Sequence, residues 1–290
     1  MIRPIIIGEI GCNHKGDLEI AKEMILVAKQ FCNADFVKFQ KRNPKESLPE
    51  KEYNAPHPTK ENSYGESYGE HREFLEFSRD QHQELKELCD SIGIGYSCSV
   101  WDITSAKDII SLNPAMIKVP SACNSNQKIL GYLCDHYPGE IHISMGMTNR
   151  QEEESIVDFL KKNNRHKDAI LYACTSGYPV PPEDVCLLEI TRLKNTYEKD
   201  VKAIGFSGHH NGVAIDVAAY VLGAQWIERH YTLDRAWKGT DHAASLEPEG
   251  LRRVARDTKV VQRAMTFKEQ EILEIEDAQR KKLKKIYFEY

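Results

Sequence analysis

The sequence lacks the features that mark several classes of protein. No run of apolar residues approaches the roughly 18 that a membrane-spanning helix needs, and the apolar stretch at the amino terminus is too short for a signal peptide. We therefore expect a cytoplasmic protein that has no membrane partner. An excess of positive charge is also absent, because 39 Lys and Arg stand against 44 Asp and Glu and give a net charge of −5. This balance argues against a nucleic acid as partner.

Cysteine pairs with metal-ligand spacing are absent as well. The eight cysteines include no C-x-x-C pair, and several of them, such as Cys174, follow apolar residues. We expect reduced thiols, most of them buried, because a free cysteine behaves as a small apolar side chain. A zinc site built from cysteine is therefore not expected.

The sequence does contain a regular alternation of short apolar runs and amphipathic segments, which predicts a parallel sheet covered by helices. Eight strand–helix units in roughly 265 residues match a (β/α)8 TIM barrel. An open, doubly wound sheet usually has fewer strands and a G-x-G-x-x-G turn after the first, a spacing that residues 11–16 lack. The predicted fold class is therefore α/β, with a TIM barrel. The candidate strands are Ile5–Glu9, Phe36–Gln40, Gly95–Ser99, Met116–Val119, Ile141–Met145, Ile170–Cys174, Ala203–Ser207 and Trp226–His230.

Two segments interrupt this rhythm. Lys41–Phe77 is rich in Pro, Asn, Tyr, Gly and charge and predicts a long β2–α2 loop of the kind that serves as a lid or binding loop. Residues 267–290 predict a charged C-terminal helical tail, helical over Glu271–Lys285. We expect residues 1–266 to form the barrel domain and residues 267–290 a solvated helix that caps it. A dimer contact through the terminal aromatics, Tyr287–Tyr290, is the alternative.

Polar residues are concentrated at the predicted strand ends. Chemistry in a TIM barrel takes place at the carboxyl ends of the strands, and alternating side chains of one strand share a face. These residues are therefore expected to face the barrel axis at its mouth. They are Glu9, Lys38 with Gln40, Ser99, Lys118 with Ser121, Ser144, Thr175 and Ser176 with Tyr178, Ser207 with His209, and Glu228 with His230.

Three groups among these residues indicate chemistry. The ammonium groups of Lys38 and Lys118, ringed by hydroxyls at positions 99, 121, 144, 175, 176 and 207, predict a pocket for a small, multiply charged anion such as a phosphate ester. His209 and His230 end neighbouring strands and would share one divalent cation, although the pattern leaves His210 as an alternative to His209. Asp241 follows the last strand, where it would orient a sugar hydroxyl, accept a proton or cap a helix.

Seven motifs lie in order along the predicted strands. They are Gly8–Asp17, Val37–Gln40, Ile117–Ser121, Ser144–Met147, Cys174–Pro179, Phe206–His209, and Ile227–Thr232 followed by Asp241, His242 and Ser245. Together they resemble the sialic acid synthase family, whose enzymes condense phosphoenolpyruvate with an amino sugar to give a nine-carbon 2-keto acid. The resemblance covers about residues 5–265, and seven motifs in order are far more specific than any one of them.

The resemblance implies a transferase of nonulosonic acid biosynthesis that forms a carbon–carbon bond, acts as a homodimer and needs Mn²⁺ or Mg²⁺. It implies His209, rather than His210, as the metal ligand beside His230. It implies Glu9, Lys38, Lys118 and Asp241 as catalytic residues, with Glu9, Gln40 and Asp241 facing the sugar or the reacting carbons. The residues that it places around phosphoenolpyruvate are Lys38, Ser99, Lys118, Ser121, Ser144, Ser176, Tyr178 and Ser207.

The sequence departs from the family pattern in ways that affect the sugar more than the reaction. Ser121-Ala122-Cys123 lacks a carboxylate that members often have there, Ser176 replaces an Asn, and Gly208 replaces an Asp. Members usually continue into an antifreeze-like domain that completes the partner subunit's sugar site, whereas this sequence ends at Tyr290. We expect the β2–α2 loop to take over part of sugar recognition.

Two other functions fit parts of the pattern. In a metal-independent aldolase, Lys118 would form a Schiff base with a keto substrate, but His209 and His230 would then have no role. A non-catalytic regulator that binds a sugar or a phosphate would explain the departures, but it would not explain why both lysines and both histidines are present.

Overall fold

The computed structural model describes residues 3–285. Within them, eight parallel strands close into a barrel in chain order, and β1 pairs with both β2 and β8. This confirms the predicted TIM barrel, and the strand ends differ from the prediction by at most two residues. The strands are β1 Ile5–Gly11, β2 Phe36–Lys41, β3 Gly95–Val100, β4 Met116–Val119, β5 Glu140–Ser144, β6 Ala169–Cys174, β7 Ala203–Gly208 and β8 Trp226–His230.

Helices surround the barrel, and short helices also fill some of the connections. The α-helices of residues 3–285 are α1 Leu18–Gln30, α2 Pro44–Ser47, α3 Glu50–Tyr53, α4 Tyr68–Leu75, α5 Arg79–Ile92, α6 Ile103–Ser111, α7 Gln127–His136, α8 Arg150–Lys162, α9 Glu189–Tyr197, α10 Ala214–Val221, α11 Pro248–Ala264 and α12 Glu274–Leu283.

Helix α1 shows how local sequence sets these elements. The Asp17 carboxylate accepts hydrogen bonds from the backbone N–H groups of Glu19 and Ile20, which satisfies two donors that a helix start leaves free. One face of α1 buries Ala21, Met24, Ile25 and Ala28. Each fully buried side chain of the size of Met or Ile stabilises the fold by about 1.5–3 kcal/mol, so this face fixes the helix against the barrel.

The segment 41–77 is the predicted long connection between β2 and α5, but it contains short helices that its composition did not predict, and we call it the insert. It contains α2, α3 and α4 together with a 3₁₀ turn at Lys60–Asn62. A capping box between Ser67 and Glu70 starts α4. Gly69 lies so close to the ring of Tyr53 that a Cβ there would be 2.3 Å from it. Helices of four residues are too short to show a periodicity, which is why composition alone did not find them.

The barrel interior is mostly apolar towards the amino ends of the strands, where His142 is a buried polar exception, and it is polar at their carboxyl ends. Ile7, Met116, Ile170, Tyr172 and Trp226 form a buried cluster at the amino ends. A larger buried cluster lies between the strands and the surrounding helices. Side chains thus fill the barrel interior on the side of the amino ends, and the open space is confined to the carboxyl ends, which form the mouth.

The structure tests only part of the prediction for the C-terminal tail. Helix α12 buries none of its residues, as expected for a solvated helix, whereas Tyr287–Tyr290 lie outside the described residues. The division at residue 267 therefore stays a prediction. None of the helices in residues 3–285 is long and apolar enough to cross a membrane. The eight cysteines are free thiols, but only three are fully buried and Cys186 is exposed.

Candidate active site

A cavity of about 270 Å³ opens at the carboxyl ends of the strands. Every strand of the barrel contributes to its wall, either from its last residues or from the connection that follows. The lining residues are Glu9, Lys38, Gln40, Ser99, Trp101, Lys118, Pro120, Ser121, Ala122, Ser144, Met147, Cys174, Ser176, Tyr178, Ser207, His209, Glu228 and His230.

The structure therefore brings almost all of the predicted site residues into one cavity. Asp241 is the exception, because it is not among the lining residues. It lies half-buried at the rim, its side chain caps no helix, and α11 begins only at Pro248. Thr175 was wrongly expected in the ring of hydroxyls. Its hydroxyl donates to the backbone carbonyl of Asp184 at 2.9 Å, because Thr175 lies between Cys174 and Ser176, which both line the cavity, and its own side chain therefore faces away from it.

The two lysines of the cavity are not free cations. Lys38 Nζ lies 2.6 Å from Glu9 Oε2, and Lys118 Nζ lies 2.7 Å from Glu228 Oε1. Glu228 Oε1 is also 3.8 Å from Lys38 Nζ, so its carboxylate stands between both ammonium groups. The four buried charges cancel, and the expected cationic pocket is a pair of ion pairs.

The carboxyl groups of Glu9 and Glu228 titrate in opposite directions. Burial raises the pKa of Glu9, against the effect of its ion pair with Lys38. Burial also disfavours the charge of Glu228, but Lys118 and Lys38 outweigh it and lower the pKa of Glu228 to about 2. Two neighbouring carboxyls whose pKa values are pushed apart are suited to different roles, with Glu9 moving a proton and Glu228 holding its charge.

A hydrogen-bonded chain leads from Glu9 towards the rim. Gln40 Nε2 donates to Glu9 Oε1 at 2.8 Å, the Gln40 carbonyl accepts from Arg42, and Arg42 Nη1 lies 3.2 Å from Glu76 Oε1. The chain needs a close approach at Gly11, where the register of β1 shifts and φ is +56°. A side chain at Gly11 would be strained there and would lie 3.2 Å from Gln40.

Serine hydroxyls line the side of the cavity formed by β4–β6. The Gly146 N–H donates to Ser121 Oγ at 3.1 Å. A Cβ at Gly146 would lie 2.4 Å from Ser176 Oγ and 2.7 Å from Ser121 Oγ, so the backbone can approach the serines only because residue 146 is glycine. On the opposite side, Ser99 Oγ accepts from Lys38 Nζ at 2.6 Å. These hydroxyls and N–H groups supply neutral donors of the kind that bind phosphate oxygens.

The rings of His209 and His230 lie together at the mouth, with centroids 5.4 Å apart. His209 Nδ1 donates to the Thr175 carbonyl at 2.9 Å, which directs its other nitrogen elsewhere. Burial lowers the pKa of His230 to about 4, and its buried Nδ1 has no hydrogen-bond partner in the described structure. Burial opposes protonation of His209 as well, but Cys174 outweighs it and raises the pKa of His209.

Two neighbouring imidazoles fit an open metal site. Within residues 3–285, no group of three or more His, Cys, Asp or Glu side chains is arranged to hold a metal ion. An ion bound by His209 and His230 would therefore take its remaining ligands from water or substrate, as open catalytic sites do.

Comparison with known proteins decides the family. The NeuB family model matches residues 24–270.

The chain belongs to the NeuB family.

Human N-acetylneuraminate-9-phosphate synthase is 39% identical over 97% of this chain and 76% of its own length. The N,N'-diacetyllegionaminic acid synthase of Campylobacter jejuni is 35% identical over 91% of this chain and 78% of its own. A crystal structure of N-acetylneuraminic acid synthetase from Leptospira borgpetersenii is 28% identical, has a TM-score of 0.80, and covers 97% of this chain and 93% of that one.

NeuB family membership confirms the resemblance seen in the motifs. It also confirms that the chain is an enzyme of nonulosonic acid synthesis that forms carbon–carbon bonds. The roles of individual residues, the metal ion and the sugar are not decided by these comparisons and stay predictions.

Two further groups of this NeuB site were not assigned roles from the sequence. Glu228 was noted only as polar, yet it pairs with Lys118. Arg42 joins the site through Gln40 and lies over the Trp101 ring at 4.2 Å. The alternation of Lys38 and Gln40, extended by two residues, would have found Arg42. The pairing of Glu228 depends on closure of the barrel, which no local pattern reveals.

Proposed function

We propose that this NeuB protein condenses phosphoenolpyruvate with an open-chain amino sugar of the N-acetylmannosamine type, giving a nonulosonic acid and phosphate. The observation that carries the proposal is the convergence, in one cavity, of two buried lysine–glutamate pairs, a serine-lined wall and a pair of histidines. This reaction requires a subsite for a phosphate ester, a group that carries a proton and a site for a Lewis acid.

The serine-lined wall is the proposed subsite for phosphoenolpyruvate. The hydroxyls of Ser121 and Ser176 stand close to the Gly146 backbone and would donate to the phosphate or carboxylate. Lys118 and Lys38 would exchange part of their contact with Glu228 for the anionic substrate. Charge-assisted hydrogen bonds of this kind are about twice as strong as neutral ones, which favours the exchange.

Glu9 is the proposed proton carrier. When the carbon–carbon bond forms, the aldehyde oxygen takes up a proton and becomes a hydroxyl. Water then adds to the former enol carbon and releases a proton. Burial raises the pKa of Glu9, which suits a group that must both give and take a proton. Burial acts likewise on Asp241, but His230 and Arg72 outweigh it and lower its pKa. Asp241 is therefore proposed to orient the sugar.

The metal ion is proposed to be Mn²⁺ or Mg²⁺, held by His209 and His230. When bound, such an ion polarises the aldehyde oxygen as a Lewis acid. His209 is oriented for this by the Thr175 carbonyl, and Tyr178 packs against both rings, 4.3 Å from His209 and 5.8 Å from His230. The Tyr178 ring would thereby shield the metal site from solvent on one side.

The proposed function is tested by incubating the purified chain with phosphoenolpyruvate, Mn²⁺ and a panel of amino sugars while phosphate release is measured. The panel contains N-acetylmannosamine, its 6-phosphate and a diacetylated aldose of the bacillosamine type. We expect metal-dependent release with at least one sugar and a 2-keto acid product. Release that does not require a sugar, or no release with any of them, would contradict the proposal.

The aldolase alternative has one supporting observation, since burial lowers the pKa of Lys118. Its ion pair with Glu228 nevertheless keeps the ammonium group engaged. Borohydride trapping with pyruvate separates the two mechanisms, because only an aldolase gives a covalent adduct on Lys118. The homodimer and the cytoplasmic location also remain predictions.

A further inference from the structure

A buried arginine lies behind the histidine pair, on the side of β8 that faces away from the cavity. Arg229 stands between Glu228 and His230, which both line the cavity. Because side chains alternate along a strand, the Arg229 side chain points the opposite way, towards α10, where it forms an ion pair with Asp216. Both partners of this pair are fully buried. Arg229 takes no part in the reaction proposed above.

Four contacts of the Arg229 guanidinium hold the segment that follows β7. The guanidinium donates to the backbone carbonyl of His210, and at 2.9 Å to both the ring Nε2 of His210 and the carbonyl of Gly212. The fourth contact is the ion pair with Asp216. One side chain of β8 thus ties together the connection after β7 and the helix α10 that follows it.

The position of His209 depends on this connection. The last paired residues of the β7–β8 ladder are Gly208 and Arg229, so His209 lies one residue beyond that ladder. His230 is the last residue of β8, whereas His209 is the first residue of the connection after β7. A shift of this connection would therefore move one imidazole relative to the other.

Contacts from two sides hold the start of this connection. From the β6–α9 connection, the Val180 N–H donates to the His209 carbonyl at 3.0 Å, and the Thr175 carbonyl accepts from the His209 ring. From β8, Arg229 holds the next residue, His210, through its carbonyl and its ring. The contact from β8 relates His209 to the strand that carries His230.

We propose that Arg229, held by Asp216, is a positioning residue that fixes the spacing between the imidazoles of His209 and His230. The inference rests on the proposed function, because it concerns the same pair of histidines. The Arg229 side chain lies outside the cavity and acts through the backbone of the segment after β7. Loss of contacts in the layer behind metal-binding histidines typically lowers metal affinity by about 10–100-fold.

The test measures the affinity of the purified chain for Mn²⁺ by titration calorimetry, without substrate. Arg229→Lys keeps a positive charge beside Asp216, but a single ammonium group cannot reproduce the planar fork that contacts two carbonyls and a carboxylate. We expect Mn²⁺ to bind at least about tenfold more weakly to this variant than to the wild type. Circular dichroism checks that the variant is folded.

A second variant serves if Arg229→Lys does not fold. Removing one charge of a buried pair is strongly destabilising, whereas removing both leaves no charge without a partner. Arg229→Met combined with Asp216→Asn therefore keeps the interior neutral and removes the contacts with His210 and Gly212. We expect Mn²⁺ affinity to fall at least about tenfold in this double variant as well.

Arg192→Lys is the matched control, because Arg192 forms a fork of the same kind away from the mouth. Its two terminal nitrogens donate to the two oxygens of the buried Glu153 carboxylate, at 2.9 and 2.7 Å, between α9 and α8. This variant loses the same kind of contact and should bind Mn²⁺ as the wild type does. Wild-type affinity in the folded Arg229 variants, or an equal loss in Arg192→Lys, would overturn the inference.

Nuclear magnetic resonance separates this inference from the proposed function. The nuclear Overhauser effect between the ring protons of His209 and His230, whose centroids lie 5.4 Å apart, reports their spacing in the metal-free protein. It should weaken in Arg229→Lys and stay unchanged in Arg192→Lys. If the wild type binds no Mn²⁺, the metal-dependent part of the proposed function fails. The positioning role then still stands if the effect weakens only in Arg229→Lys, and it falls if the effect is unchanged there.

Discussion

The two ends of the barrel differ in whether their buried polar groups have hydrogen-bond partners. At the amino ends of the strands, His142 has a partner for each nitrogen, with Tyr172 Oη at 2.7 Å and Glu140 Oε2 at 3.2 Å. At the carboxyl ends, His230 Nδ1 and Glu228 Oε2 are buried without a hydrogen-bond partner in the described structure.

Unpartnered buried groups cost stability, and native structures retain few of them. The polar contacts at the amino end of this barrel therefore serve stability. The unpartnered groups at the mouth are available to a bound ligand. Substitutions at the two ends should accordingly have different effects, which the following four predictions test.

The largest effect is expected at the histidine pair. His209→Ala or His230→Ala should lower kcat/KM for the condensation by more than about 1,000-fold, because Lewis-acid polarisation contributes several kcal/mol. The melting temperature should not fall, because each substitution removes a buried imidazole from an incompletely bonded site. Phosphate release and thermal unfolding measure the two quantities. A double variant with full activity would refute participation of a metal at this pair.

The next effect is expected at the buried ion pair of the mouth. Glu228→Gln leaves the Lys118 charge without its partner and should destabilise the fold by about 3 kcal/mol. Lys118→Met leaves Glu228 only the more distant Lys38, at 3.8 Å, and should destabilise the fold by a smaller amount. The double variant restores the charge balance and should lose clearly less than the sum of the two. Urea unfolding of the four proteins measures the coupling. Additive losses would show that Lys118 and Glu228 do not interact in the folded protein.

A smaller effect is expected at the opposite end of the barrel. Tyr172→Phe removes the hydroxyl that contacts His142 Nδ1 and should cost about 1–3 kcal/mol of stability. It retains the ring over which the Lys118 ammonium lies at 4.2 Å. The KM of phosphoenolpyruvate should stay at the wild-type value. A changed KM with unchanged stability would reverse the assignment of the two ends.

The smallest effect is expected outside the barrel interior, at two buried histidines that pack against Phe39, as a dependence of stability on pH. Burial lowers the pKa of His14 and of His82 to about 3. Because the folded pKa lies below the unfolded value near 6.5, the unfolded chain binds protons first. Stability is therefore complete above about pH 6.5 and is lost as the pH falls towards 3. At pH 5.5 each histidine should cost about 1.4 kcal/mol.

Substitution can assign part of this pH dependence of stability to a single histidine. His82→Gln removes one of the two titrations and should make the loss of stability between pH 7 and pH 5.5 smaller by about 1.2 kcal/mol. His136→Gln replaces an exposed histidine and should leave that loss unchanged. The same pH slope in His82→Gln as in the wild type would rule out His82 as its source.

The sequence predicted the structure correctly where a residue pattern repeats along a single strand or helix. Alternation along β2 and β8 placed Lys38 with Gln40 and Glu228 with His230 on the cavity side, and the structure agrees. The apolar face of α1 and the capping box of α5 at Ser78 and Gln81 are local features of the same kind.

The features that the sequence did not reveal depend on contacts between distant segments. Lys118 and Glu228 are 110 residues apart and meet only across the closed barrel. The helices of the insert are held by contacts such as Tyr53 with Gly69 rather than by a pattern of their own. Thr175 is an exception, because it lies between Cys174 and Ser176, which both line the cavity, so that alternation continued past β6 would have excluded it from the site.

The cancellation of charge at the mouth bears on how substrate is captured. Glu9 and Glu228 screen Lys38 and Lys118 at contact distance, so these four groups add little field in the solvent that could steer anions inward. Recognition of phosphoenolpyruvate then happens after encounter, through short-range donors. Its association rate should accordingly change little with ionic strength, unlike capture by a cleft of uncompensated cations.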